Sequence, residues 1–106
     1  MSDRVSPLSV STTPRGFDLS GEIDAGTAET LASLLRSAAG NAGDTELGMS
    51  DIYFIDSSGL RVLIEAHQEA EKRGHRIVIA EPSPVVTRLL GISGLTNYLH
   101  LRLSAG

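Results

Sequence analysis

The chain holds 106 residues and no cysteine, and thirteen acidic against nine basic side chains leave a net charge of −4. That length fits one domain, and 41% hydrophobic with 21% charged residues is the balance of a chain that buries a core. The composition excludes disulfides, thiol nucleophiles and Cys-zinc sites, and it argues against partners recognised through bulk positive charge, such as nucleic acid or an anionic membrane.

Residues 1–7 read as a frayed start. They carry no apolar stretch of signal-peptide length, so the expected location is cytoplasmic. Leu8, Val10 and Thr12 alternate with polar residues at the strand period. Pro14-Arg15-Gly16 signals a turn, and Phe17 and Leu19 begin a second strand that pairs with the first as a hairpin. Gly21-Glu22-Ile23-Asp24 reads as a loop. Leu31, Leu34, Leu35 and Ala38 then fall on one helical stripe, which Gly40-Asn41-Ala42-Gly43 ends. Thr45 to Met49 is a weak strand because Gly48 interrupts it, and Ser50 to Ile55 leads into Asp56-Ser57-Ser58-Gly59.

A second helix carries Leu60, Leu63, Ile64 and His67 on one stripe, with Gly74 at its C-terminal end. His75 to Ala80 is a strand whose unbroken Ile77-Val78-Ile79 predicts cover on both faces. Ser83 caps a short apolar helix with Pro84 at its first position, closed by Gly91 or Gly94. Tyr98 to Leu103 alternates as a last strand. The order β-β-α-β-α-β-α-β gives an α/β fold, a mixed sheet flanked by helices. The expected ordered core runs from about residue 8 to 103, within a single domain spanning 1–106.

Two hydroxyls stand where the second helix begins. Asp56 and Ser57 are good caps for free helix-start N–H groups, and capping accounts for them by itself. A phosphorylation site is the sharper reading, because a phosphate there meets the positive end of the helix dipole and adds about −1.5 to −2 charge. If folding brings the Gly21–Asp24 loop beside Ser57, Asp24 or Asp56 can orient the hydroxyl. His67, His75 and His100 lack i,i+4 spacing, so no metal site is expected, and His67 reads as a satisfied core or boundary side chain. Nucleotide loops and hydrolase elbows are absent, so no cofactor is expected and an enzyme, a hydrolase using Ser57, is disfavoured.

Gly21-Glu22-Ile23-Asp24, Thr27-Ala28-Glu29-Thr30-Leu31, Phe54-Ile55-Asp56-Ser57-Ser58-Gly59-Leu60 and Ser83-Pro84-Val85-Val86-Thr87-Arg88-Leu89-Leu90 together resemble a STAS domain of the bacterial anti-sigma factor antagonist type. The resemblance runs from about residue 8 to 103. It implies partner switching. The unphosphorylated antagonist binds an anti-sigma factor that is also a serine/threonine kinase, and so releases the sigma factor. The kinase phosphorylates a serine on the antagonist, and a serine phosphatase restores it.

By this resemblance Ser57 is the phosphoacceptor, with Ser58 as the alternative. Gly21, Glu22, Asp24, Asp56, Ser58, Gly59 and Arg61 fall on the partner-binding surface, and a monomer is expected. Gly48, Glu46 and Arg61 depart from the family pattern. Gly48 should weaken its strand and remove a polar contact near the site, whereas Arg61 places a cation where it can meet the phosphate. A STAS subunit of a lipid-transport or stressosome-like assembly is the alternative role.

Overall fold

A computed structural model describes residues 7–38 and 43–103. The elements follow in the expected order: β1 (Leu8–Thr13), β2 (Gly16–Ile23), α1 (Ala28–Ala38), β3 (Thr45–Ile55), α2 (Ser57–Lys72), β4 (Ile77–Ala80), α3 (Pro84–Ile92) and β5 (His100–Arg102). They form one five-stranded sheet in the order β1-β2-β3-β4-β5. β1 runs antiparallel to β2. The pairs β2–β3, β3–β4 and β4–β5 are parallel, so each needs a crossover, and the three helices supply them. Of the segment Gly40–Gly43, residues 40–42 lie outside the described residues, as do residues 1–6 of the expected frayed start.

Two departures from the sequence reading shape the site. Gly21, Glu22 and Ile23 are not a loop but the last residues of β2. Ile23 is fully buried, and Glu22 N donates to Pro7 O. Gly21 holds φ +107°, and a Cβ there would sit 2.0 Å from Pro7 O. Glycine is therefore required by the backbone geometry of the strand, although in sequence it reads as a breaker.

The second departure is β3, which runs unbroken through Gly48 for eleven residues. Asp18 pairs with Gly48 but Ser20 with Asp51, and Gly21 pairs with Ile52 but Glu22 with Phe54. β3 thus holds one extra residue at each of two bulges. The bulges reset the alternation so that Leu47, Met49, Ile52 and Ile55 are all buried beside Leu19 and Ile23 in one core. Gly48 does not interrupt the strand. A Cβ on it would lie 2.2 Å from Asp18 Oδ1, and it stands at the end of β3 away from Ser57.

The helices cover the sheet face that carries this core. Leu31 and Leu35 of α1, Leu60, Val62 and Leu63 of α2, and Val86 and Leu90 of α3 complete it. The opposite side of β2 and β3 stays open. Asp18, Ser50 and Asp51 are exposed, and Glu46 there receives Arg102 at 2.8 Å and Arg15 at 3.5 Å. The cover predicted for both faces of β4 is therefore incomplete: Ile79 and Ala80 are buried, but Ile77 and Val78 only half-buried.

β4 also starts two residues later than expected, and β5 spans only His100–Arg102. Beyond β4, the outer edge of β3 is met by α3. Ser83 N donates to Met49 O at 3.1 Å, and Ser83 Oγ donates to Ile52 O at 2.6 Å. Ser83 also accepts from Val86 N, with Pro84 opening the helix, as its sequence predicts.

Candidate functional site

Parallel pairing sets the ends of β2 and β3 side by side. Ile23 pairs with Ile55, and Asp56 N donates to Ile23 O at 3.1 Å. The turn after β2 and the start of α2 therefore share one rim of the sheet, and Asp24 and Asp56 stand next to one another in register.

Each aspartate is spoken for. Asp56 is the N-cap of α2, its Oδ1 accepting from Ser58 N at 2.9 Å and Gly59 N at 3.4 Å. Asp24 Oδ1 accepts from Gly26 N at 2.9 Å and Thr27 N at 3.1 Å and so fixes the entry to α1. Thr27 Oγ locks that turn by donating to Glu22 O at 2.9 Å. Neither carboxylate is bonded to the Ser57 hydroxyl among the described residues. The expectation that one of them orients it gives way to a capping role for both, because free backbone N–H groups lie closer in sequence and compete for the same oxygens.

Ser57 is the first residue of α2 and is exposed, whereas Ser58 is half-buried. Gly59 is buried, and a Cβ on it would lie 2.5 Å from Ile23 Cγ2 and 3.0 Å from Ile55 Cγ1. The glycine lets α2 press its first turn onto β2 and β3, and this contact holds Ser57 at the rim. Arg61 is exposed four residues after Ser57, which on a helix is the same side one turn along. Gly21 is half-buried, third from the end of β2, where its part is backbone geometry.

Sequence reasoning passed over two neighbours. Tyr53 and Phe54 are 66% and 43% exposed, side by side at the second bulge of β3. Phe54 pairs with Glu22, and the nearby Glu22 carboxylate raises the Tyr53 phenol above its ordinary pKa. Exposed large aromatics are enriched among the side chains that carry binding energy at interfaces. Its sequence trace is the pair Tyr53-Phe54 directly before Ile55-Asp56-Ser57.

The histidines also end up differently placed. His67 is buried but not satisfied: its Nδ1 has no hydrogen-bond partner. Its ring centroid lies 5.2 Å from that of His100, whose Nε2 is 3.1 Å from Glu71 Oε2. Separation along the chain hides this grouping, because β5 alone brings His100 to α2. No helix among the described residues is long and apolar enough to cross a membrane.

Comparison with known proteins agrees with this architecture. The STAS domain model matches residues 9–106. The anti-sigma-B factor antagonist of Bacillus subtilis (strain 168) is 27% identical over 84 residues, 79% of this chain and 77% of that protein. The anti-sigma F factor antagonist of Paenibacillus polymyxa is 30% identical over 79 residues, 73% and 68% of the two chains. Among solved structures, the anti-sigma factor antagonist SpoIIAA in its unphosphorylated form superposes with a TM-score of 0.73 at 22% identity, covering 92% of this chain and 89% of that one. The Bacillus cell fate determinant SpoIIAA in the phosphorylated form gives 0.67 at 20% identity, covering 92% of each.

Proposed function

This chain belongs to the STAS domain family, and we propose that it is an anti-sigma factor antagonist switched at Ser57. In its unphosphorylated form it binds an anti-sigma factor that is also a serine kinase, and the sigma factor is released. Phosphorylation of Ser57 ends that complex, and a serine phosphatase restores it. The observation that carries this reading is an exposed serine at the first position of α2, on the rim where β2 and β3 end. The curated relatives that it matches are antagonists of this kind, and the neighbour SpoIIAA occurs in phosphorylated and unphosphorylated forms.

The geometry explains how one group can control binding. The partner surface comprises Glu22, Asp24, Asp56, Ser58, Gly59 and Arg61, with Gly21 supporting it from within β2 and Tyr53 and Phe54 as apolar anchors. A kinase seated there covers a neutral hydroxyl. After transfer it must cover a dianion instead, and the Ser58 and Gly59 amides that would receive that charge are already held by Asp56. The phosphate also joins three carboxylates on the same rim. A hundredfold loss of affinity requires about 2.8 kcal/mol, and one unpaired charge buried at an interface costs more than that. Ser57 is preferred to Ser58 because only Ser57 is fully open to an attacking kinase.

The test is calorimetric titration into an anti-sigma kinase from the same genome with ADP and magnesium. Wild type should bind, Ser57→Ala should bind nearly as well, and Ser57→Asp should lose at least about tenfold, or 1.4 kcal/mol. Equal binding by Ser57→Asp would move the switch to Ser58. Failure to bind any such kinase would favour the transport or assembly role.

A further inference from the structure

We propose that His67, Glu71 and His100 form a binding site for a single zinc ion that joins α2 to the edge strand β5. This goes beyond the switch at Ser57 and does not depend on it. His67 lies ten residues further along α2, roughly 15 Å at the helical rise.

Three observations support it independently. One ligand atom from each of the three side chains lies within 4.8 Å of the others. His67 and Glu71 are four residues apart on α2, hence on one helix side, and His100 enters from β5. Two imidazoles and a carboxylate are a ligand set that zinc takes with water in the fourth position.

The second observation is His67 itself. The residue is only 6% exposed, and its Nδ1 is buried without a partner. An unpaired buried polar atom is costly and rare. One His67 ring nitrogen belongs to the cluster with the Glu71 and His100 ligand atoms, so a cation held there would engage this buried imidazole. Tyr98 packs on the His67 ring at 4.7 Å, but its hydroxyl is engaged by Gln68 Nε2 at 3.3 Å.

The third is fit. Zinc bonds of about 2.0–2.2 Å in a tetrahedron place ligand atoms roughly 3.3 Å apart. His100 Nε2 and Glu71 Oε2 already stand at 3.1 Å. Their side chains are 34% and 53% exposed, so they have room to close on His67 and an open path for the ion.

The experiment is titration of the metal-stripped full chain with zinc chloride by calorimetry, with Co²⁺ absorption in the visible as a second readout. One ion per chain is expected, with tetrahedral cobalt bands. Glu71→Gln and His100→Ala, both at accessible positions, should each weaken binding at least about tenfold, while His75→Ala, outside the cluster, should leave it unchanged. In the wild type, zinc should increase amide-exchange protection at residues 98–102. Absence of stoichiometric binding, equal binding by Glu71→Gln and His100→Ala, or an equal loss in His75→Ala would each overturn the proposal.

Discussion

Ser57 and Gly59 are two residues apart and answer opposite demands. Ser57, the proposed phosphoacceptor, is exposed. Gly59 has to leave no room at all, since anything larger than hydrogen meets Ile23 and Ile55. Substitution should therefore separate them. Gly59→Ala forces α2 off β2 and β3 and should lower stability by about 1–3 kcal/mol, read as a lower urea midpoint. Ser57→Asp puts a carboxylate in the first turn of a helix, where it is favoured, and should leave that midpoint unchanged or slightly raised. A site that loses binding through Ser57→Asp without losing stability is then identified as a surface switch and not a folding defect.

Among the elements, the link between β3 and β5 carries a pH dependence. Glu46 is bonded to Arg102 and Arg15, and the Arg102 guanidinium holds its carboxyl below the ordinary 4.5. A folded pKa lower than the unfolded one means the native state favours the charged form. The resulting stabilisation is complete above the unfolded value and is lost as pH falls through the lowered one. Urea midpoints measured from pH 6 downward should fall more steeply in the wild type than in Glu46→Gln, and added salt should narrow the difference.

How far the elements could be read from sequence divides along similar lines. The helices and their caps were legible because capping is local: Asp56 and Ser83 act on amides two or three residues away. The end of β2 was not, because Gly21 reads as a breaker until Pro7 is seen against it. The bulges of β3 leave no local mark, since an extra residue shows only in the pairing with β2. The Asp56-Ser57-Ser58-Gly59 step was legible as a candidate site. The Tyr53 and Phe54 surface and the His67–Glu71–His100 group depend on strand ends that only the folded sheet aligns.

At the scale of the whole molecule, the switch proposed at Ser57 requires no change of shape. Ser57 stands outside the core, and the first turn of α2 is held by Asp56 and by Gly59 against the sheet, whatever charge the serine carries. Paired amide-exchange maps of the phosphorylated and unphosphorylated forms should show the same protection across 57–72, and lost protection there would contradict a purely surface-based switch. The same rigidity has a bearing on self-association. Ile52-Tyr53-Phe54-Ile55 is a run of strong β-formers, and it lies where β3 outruns β4. Ser83 takes the Met49 and Ile52 carbonyls on that border. The cap of α3 thus covers a stretch of strand edge that, left open, would offer its carbonyls to another chain.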